Sequence, residues 1–259
     1  MRKLIAFPCA GEMLVGTLDE GGHTSGLLIV SGGNEVRVGA HRGMALLAAR
    51  LAAAGIPVFR YDRRGIGDST GENTGFEHSA DDMAAALATF RKEAPQVTRI
   101  VGFGNCDAAT ALALFHRKAG IDALVLANPW TIDQPDDLPP TAAIRARYVD
   151  RLKNPGTYLR LVRGGIDFRK LIKGLSKLSA SQPQDAGSLA VRLKAAMETA
   201  DKPVRIVLAK GDATAIAFAA SGAAASLTAQ TDALDTASHS FAHAGDKAAL
   251  EAILRAALA

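Results

Sequence analysis

Cys106 stands in a sequence pattern that suits a nucleophile. Gly104-Asn105-Cys106-Asp107-Ala108 follows an apolar run with β character and leads directly into a helical run. A nucleophile at such a junction sits on a sharp turn, so the residues two before and two after it must be small, as Gly104 and Ala108 are. A helix start also stabilises a thiolate through its dipole and free N–H groups. The pattern predicts a cysteine nucleophile; the alternative is a buried thiol in a tight turn.

An acid and a base follow Cys106 in the chain. Asp212 comes soon after the apolar run 204–209, and His239 lies in a loop before the last helical run. The order nucleophile, acid, histidine is the one expected for a triad built on a strand–turn–helix nucleophile. In such a triad the imidazole takes the proton of the nucleophile and the acid orients the imidazole. We therefore predict a Cys106–His239–Asp212 triad. The nearby rivals for the base and the acid are His243 and Asp235.

Acyl-transfer chemistry also needs N–H donors for the oxyanion that forms on the substrate. The N–H of Asp107, next to the nucleophile, is one predicted donor. The second is expected after the buried run 26–31, where two glycines precede Asn34. The amides of Gly33 and Asn34 are both candidates. His41 lies close by in sequence and is a candidate for the pocket, with bracing of the loop as the alternative.

The elements around these residues alternate between short β-branched runs and Ala/Leu-rich helical runs. This alternation predicts parallel strands joined by right-handed crossovers. Ser79 is predicted to be the N-cap of its helix, and Met13 to Leu18 is predicted to form an antiparallel edge hairpin with residues 3–7. The fold class is therefore α/β, with a mostly parallel central sheet flanked by helices. The predicted strands are 26–31, 57–61, 99–103, 123–127 and 204–209, and the predicted helices are 41–54, 79–90, 107–118 and 245–258.

The alternation breaks at residues 131–202. This stretch opens with prolines and aspartates, and between residues 142 and 178 it holds ten Lys or Arg against two acids. We predict a helical cap inserted into a core made of residues 1–130 and 203–259. Its positive charge predicts contact with acidic membrane lipids, an anionic glycan precursor or an acyl carrier. The alternative is an ordinary solvated helical face.

Composition excludes several other classes of protein. The chain has 259 residues, 48% of them apolar and 22% charged, which is the composition of a globular protein with a sizeable core. Two cysteines exclude a disulfide scaffold and most cysteine-based zinc sites, and no metal or cofactor is predicted. No apolar run approaches the roughly 20 residues that cross a bilayer, and the first apolar stretch is too short for a signal peptide. We therefore predict a cytoplasmic protein. The basic segment lacks a nucleic-acid motif and is poor in aromatic residues, so no nucleic-acid partner is predicted.

The sequence resembles the α/β-hydrolase superfamily, and within it the hydrolases of the first type associated with the exosortase A system. The Arg-Gly-x-Gly-x-Ser segment is common to many α/β-hydrolases, whereas the Gly-x-Cys-Asp-Ala and Gly-Ala-His-Arg segments are more specific. Most members of the superfamily use serine; dienelactone hydrolases are a related precedent for cysteine. The matching segments are 31–33, 37–42, 60–71, 104–109, 128–130, 210–212 and 238–241.

The resemblance implies an α/β-hydrolase fold, a catalytic triad and a setting among bacterial genes for polysaccharide export, but no defined substrate. Together with the residues above, it predicts hydrolysis of an ester or thioester through an acyl-thioenzyme. The predicted substrate is a small acyl compound, and the basic segment allows it to be anionic. Two alternatives stay open. One is a catalytically idle scaffold that binds a ligand or partner, and the other is an acyltransferase.

Overall fold

One sheet organises the part of the chain that the structure describes. The computed structural model describes residues 1–133, 187–224 and 229–259. The strands of these residues are β1 (Arg2–Cys9), β2 (Glu12–Asp19), β3 (Ser25–Val30), β4 (Val58–Tyr61), β5 (Arg99–Asn105), β6 (Ala123–Ala127), β7 (Val204–Ala209) and β8 (Gln230–Leu234). They form an eight-stranded sheet in the order β1-β2-β4-β3-β5-β6-β7-β8. From β4 to β8 every neighbouring pair is parallel, whereas β2 runs antiparallel to both β1 and β4. This confirms the mostly parallel sheet and the antiparallel edge hairpin.

Helices cover both faces of the sheet. They are α1 (Gly43–Ala53), α2 (Ala80–Glu93), α3 (Asp107–Ala119), α4 (Leu189–Glu198), α5 (Ala213–Ala220) and α6 (Ala244–Leu258), with short 3-10 turns at Ala40–Arg42 and Phe76–His78. One core cluster contains Leu51 of α1 and Leu254 of α6. The other contains Phe90 of α2, Leu112 of α3 and Leu193 of α4. Because both faces are covered, a central strand such as β6 is buried at every residue, which explains its unbroken apolar sequence.

Two details of the fold differ from the sequence prediction. Strand β8 was not predicted; it is an edge strand whose residues are exposed or half-buried, and its sequence Gln-Thr-Asp-Ala-Leu carries little apolar signal. Ser79 does take the N-cap position of α2, but its side chain caps no N–H. The Ser79 hydroxyl instead donates to the carbonyl of Phe76 in the preceding 3-10 turn, at 2.6 Å.

The predicted insertion is described only at its two ends. Residues 134–186, which hold the whole basic segment 142–178, lie outside the described residues. At the far end, α4 packs on the core through Leu193 and Met197. The N–H of Leu189, the first residue of α4, donates to the Asp133 carboxylate at 2.7 Å. The chain therefore leaves and rejoins the core at neighbouring points.

The loops that follow the parallel strands all open on one edge of the sheet. Parallel strands share the direction of their carboxyl ends, so the segments after β3, β5, β6, β7 and β8 meet there. Every residue of the predicted triad and every predicted oxyanion donor belongs to one of these segments. None of the described helices has the length and apolarity needed to cross a bilayer.

Candidate active site

Cys106 occupies the strained turn between β5 and α3. Its backbone has φ 62° and ψ −127°, a conformation that non-glycine residues rarely adopt. The turn is held because the N–H of Cys106 donates to the carbonyl of Ala127 at 2.9 Å. Gly104 is required here, since a Cβ on it would lie 2.7 Å from the backbone of Ala108. The Cys106 side chain is half-buried and lines a cavity.

Asp212 and His239 form the charged pair of the site. Nδ1 of His239 lies 3.0 Å from Oδ1 of Asp212. The other carboxylate oxygen of Asp212 caps α5, accepting from the N–H groups of Thr214 and Ala215 at 3.0 and 3.1 Å. The His239 ring also interacts with the Cys106 side chain, and this interaction contributes to the raised pKa of the imidazole. The structure thus brings the three predicted residues together in the order Asp212, His239, Cys106.

The electrostatics of this group favour a protonated imidazole. The hydrogen bond with Asp212 and then the interaction with Cys106 outweigh burial and raise the pKa of His239 from 6.5 to about 10. Burial alone would raise the pKa of Asp212, but the hydrogen bonds from His239 and from the N–H groups of α5 hold this pKa below its ordinary value. At neutral pH the acid is therefore ionised and the imidazole holds a proton that it can donate.

Two side-chain amides, one on half-buried Asn105 and one on buried Asn128, fix the backbone of the histidine loop. Nδ2 of Asn105 donates to the carbonyl of His239 at 3.0 Å. Nδ2 of Asn128 donates to the same carbonyl at 3.3 Å and to Oδ1 of Asn105 at 3.0 Å. Oδ1 of Asn128 in turn accepts from the N–H of Ala209, at the end of β7. These bonds tie the loop of the base to the strand that carries the nucleophile.

The predicted oxyanion donors lie beside Cys106. The N–H of Asp107 is in the first turn of α3, where helical N–H groups have no partner within the helix. Gly33 and Asn34 line the same cavity as Cys106. The N–H of Gly33 donates to both carboxylate oxygens of Asp107, at 2.7 and 2.9 Å. Within the described residues, the N–H of Asn34 donates to no protein atom.

Buried charges hold the loop that carries Gly33 and Asn34. The Arg63 guanidinium donates to the carbonyl of Gly33. The Asp62 carboxylate accepts from the N–H of Arg37 at 2.6 Å and pairs with its guanidinium. Arg63 and Asp62 follow β4, so the neighbouring strand supports this loop from below. Their role was not predicted, although both lie in the segment 60–71 that carries part of the family resemblance.

The cavity above Cys106 has a volume of about 490 Å³. Part of its wall is apolar, formed by Phe76, Trp130, Ile132 and Leu189. The charged side chains among its described lining residues are all carboxylates, those of Glu77, Asp107 and Asp133. Among the residues that the structure describes, no group of three or more His, Cys, Asp or Glu side chains is arranged to hold a metal ion.

The remaining candidates lie away from this cavity. His41 is exposed in the 3-10 turn before α1 and lines a separate small hollow with Phe241, so the structure does not bring it to Cys106. The rivals His243 and Asp235 are both exposed, and His243 occupies the N-cap position of α6. Cys9 is buried, and its thiol donates to Asp82 at 3.5 Å, far along the sheet from the site.

The sheet order, the strained residue between β5 and α3, and the acid and histidine after β7 and β8 together define an α/β-hydrolase. The chain belongs to the family described as "Serine aminopeptidase, S33", whose model matches residues 25–223. That description names a serine enzyme, whereas the residue at the strained turn here is Cys106.

Solved structures share this fold at low sequence identity. An esterase of Pyrococcus furiosus superposes with a TM-score of 0.63 at 17% identity, covering 99% of this chain and 90% of that one. The α/β hydrolase GrgF from Penicillium sp. sh18 gives 0.64 at 18%, covering 100% and 96%. The thioesterase domain from the curacin biosynthetic pathway gives 0.55 at 14%, covering 99% of each chain. No match was found among curated proteins.

Proposed function

We propose that the protein hydrolyses an ester or thioester through a covalent acyl-thioenzyme on Cys106. The observation that carries this proposal is the His239 imidazole, whose Nδ1 lies 3.0 Å from Oδ1 of Asp212 and which also interacts with the Cys106 side chain. The arrangement supplies a nucleophile, a proton carrier and an acid that orients the carrier. The names of the solved esterase and thioesterase agree with this chemistry.

The reaction follows from the positions of these groups. The Cys106 thiolate attacks the acyl carbonyl carbon, forming a C–S bond and an oxyanion. As the C–O or C–S bond to the leaving group breaks, protonated His239 donates its proton to the departing oxygen or sulfur. Neutral His239 then takes a proton from water, the hydroxide attacks the thioester, and the C–S bond breaks. The carboxylic acid leaves, and the proton held by His239 restores the starting pair.

The described cavity suits an uncharged, apolar acyl group. Phe76, Trp130 and Ile132 offer apolar contact, whereas the Asp133 carboxylate would repel a carboxylate on the acyl chain. The charges of the other two carboxylates in the wall, Glu77 and Asp107, are offset by Arg192 and Arg63. We therefore place any negative charge of the substrate on its leaving-group side, and we propose that the ten Lys or Arg of segment 142–178 attract an acyl carrier or an acidic membrane surface. The resemblance to exosortase-associated hydrolases supports a cytoplasmic role beside bacterial exopolysaccharide export.

The test is acylation of purified protein by p-nitrophenyl esters and acyl thioesters of increasing chain length, followed by intact mass. We expect an acyl adduct on the wild-type protein, no adduct on Cys106→Ala and a normal adduct on Cys9→Ala. Activity should rise with an apolar chain and fall when the chain ends in a carboxylate. An adduct that persists in Cys106→Ala would contradict the proposal.

The same experiment separates the two alternatives. An acyltransferase would give the adduct on Cys106 but release it faster when an alcohol or amine is added than in water alone. An idle scaffold would give no adduct and no turnover, and iodoacetamide would label Cys106 no faster than Cys9. The buried Cys9 is a suitable reference, because burial raises its pKa to about 11 and so keeps it protonated.

Cleavage of an aminoacyl amide is a second candidate function. It is favoured by the Asp133 carboxylate in the cavity wall, which could hold a substrate ammonium group. The family description names an aminopeptidase. Alanine p-nitroanilide and its N-acetyl derivative distinguish the two functions. Turnover of the free amine alone would favour this candidate, and turnover of neither, beside active esters, would favour the ester or thioester hydrolase.

A further inference from the structure

The side chain of Asp107 is held in place by contacts that have no role in the mechanism above. Its two oxygens accept from the N–H of Gly33 at 2.7 and 2.9 Å. The carboxylate lies directly against Gly32, where a Cβ would come within 2.5 Å of Oδ1. The residue after the nucleophile is thus fastened to the loop after β3, and the absence of a side chain on Gly32 makes the space for it.

Arg63 completes this arrangement from beneath the loop. Its side chain is only 5% exposed, and Nη2 lies 3.9 Å from Oδ2 of Asp107. The same guanidinium donates to the carbonyl of Gly33. Gly33 is therefore held at both ends, with its N–H on the Asp107 carboxylate and its C=O on Arg63. The cation also offsets the negative charge that Asp107 brings next to the reaction centre.

The hydrogen bonds to the N–H and C=O of Gly33 fix the direction in which the N–H of Asn34 points. The C=O of Gly33 and the N–H of Asn34 belong to one planar trans peptide, in which they point in opposite directions. Because the C=O points toward buried Arg63, the N–H of Asn34 points away from it, and Asn34 lines the cavity. The Asn34 side chain is held as well, since its Oδ1 accepts from Nδ2 of Asn73 at 2.9 Å.

We propose that the Asp107 carboxylate and Arg63 are positioning residues, which aim the N–H of Asn34 so that this group, and not the N–H of Gly33, joins the N–H of Asp107 in the oxyanion hole usual for the class. The N–H of Gly33 is excluded because the Asp107 carboxylate already occupies it. This inference rests on the proposed acyl-transfer function. It assigns the second donor, which the sequence leaves open between Gly33 and Asn34.

The first test compares acylation with alkylation in Asp107→Ala, Asp107→Asn and the exposed-carboxylate control Glu72→Gln. Acylation by an ester forms an oxyanion, whereas displacement of iodide from iodoacetamide by Cys106 does not. Loss of an oxyanion donor typically lowers kcat by 10² to 10³, and the donor here is misaimed rather than removed. We therefore expect Asp107→Ala to lower kcat about 10- to 100-fold with little change in KM, and to alkylate within about twofold of wild type.

Asp107→Asn keeps one acceptor oxygen for the Gly33 N–H and should recover part of the lost rate. It also serves as the second variant if Asp107→Ala unfolds. An Asp107→Ala enzyme that is as fast as wild type, or faster, would overturn the proposal and indicate a carboxylate that blocks the hole. A wild-type protein that neither acylates nor alkylates at Cys106 would instead refute the proposed function, which distinguishes the two failures.

The second test observes the donors directly. A peptide aldehyde or alkyl aldehyde adds to Cys106 to give a hemithioacetal, whose oxygen occupies the oxyanion position. In protein labelled with ¹⁵N at glycine and asparagine, the Asn34 amide proton should move downfield when the adduct forms, and the Gly33 amide should stay in place. A downfield shift of Gly33 with an unchanged Asn34 would overturn the assignment.

Discussion

Each residue of the triad is fixed by a different kind of interaction. The backbone conformation of the turn holds Cys106, a helix cap holds Asp212, and the amides of Asn105 and Asn128 hold the loop of His239. The ion pair between Asp212 and His239 joins the segments after β7 and β8. Substitutions of these residues should therefore act on the chemistry before they act on the fold.

Asp212→Asn tests the acid. An amide in place of the carboxylate cannot stabilise the imidazolium, and it favours the wrong tautomer of His239. We expect kcat for the best ester substrate to fall by about 10²- to 10⁴-fold. Asp235→Asn is the matched control because Asp235 is exposed in the loop after β8 that also carries His239. Its kcat should stay within about twofold of wild type. Equal losses in both variants would contradict the assignment of the acid.

The raised pKa of His239 predicts how stability depends on pH. This pKa is about 10 in the folded protein against an ordinary value of 6.5, so the folded chain keeps a proton that the unfolded chain releases between these values. The resulting stability is fully present below pH 6.5 and is lost as the pH rises through 10. The difference in unfolding free energy between wild type and His239→Gln, measured in urea, should shrink across this window.

His243→Gln provides the control for the pH measurement. His243 is exposed at the start of α6 and lies outside the triad. Its unfolding free energy should follow that of wild type at every pH from 6 to 10. A constant gap between wild type and His239→Gln over the same range would show that the imidazolium is not held by the folded site.

At the scale of elements, the turn from β5 into α3 brings the backbones of the strand and the helix very close together. The backbone of Ala108 and Ala109 passes so close to Gly104 that an added Cβ would lie 2.7 Å from one and 2.9 Å from the other. Gly104→Ala must push α3 off the strand, and we expect it to lower the free energy of unfolding by about 1–3 kcal/mol. Urea unfolding measures this loss.

Gly245→Ala is the matched control, since a Cβ there meets nothing within 4 Å and the residue is already helical in α6. It should change stability by no more than about 0.5 kcal/mol. If Gly104→Ala proves equally harmless, the close approach of α3 to β5 does not exist in solution.

Strands were predictable from the sequence where burial requires their residues to be apolar. Strand β6 was placed to the residue, because a strand covered on both faces needs an unbroken apolar run. Strand β7 was also placed to the residue, since its run is apolar except for Arg205. Strand β8 escaped prediction because an exposed edge strand needs no such run. The three triad residues could be proposed from their types and order, whereas the contacts of Asp107 and Arg63 join distant loops through side chains and leave no local pattern.

At the scale of the whole molecule, the strand pairing of the described core does not depend on residues 134–186. Strands β6 and β7 pair directly, and the hydrogen bond from Leu189 to Asp133 holds the residues on either side of 134–186 close together. Replacing residues 134–186 by a short Gly/Ser linker should therefore leave a folded protein with a cooperative thermal transition. We expect it to keep hydrolysis of p-nitrophenyl acetate and to lose its preference for thioesters of an acidic acyl carrier over uncharged thioesters.

The control for this deletion is the full-length chain with the same Gly/Ser linker added after residue 133. It should retain both the transition and the substrate preference. A deletion variant that fails to fold would show that the insertion contributes to the core, and one that keeps its preference would show that the described cavity alone selects the substrate.

The contact between Asp133 and Leu189 also bears on how such a protein changes over generations. The chain leaves the core at Asp133 and returns at Leu189, and these two residues are hydrogen-bonded to each other; we call this junction the seam. The number of residues between them can therefore vary at little cost, since each doubling of a flexible loop costs only about 0.6 kcal/mol of closure entropy. Gene duplication followed by insertion, deletion or recombination at this seam can exchange the whole segment while the triad and its supporting amides stay untouched. Substrate range can then diverge faster than the catalytic chemistry, with the seam as the breakpoint.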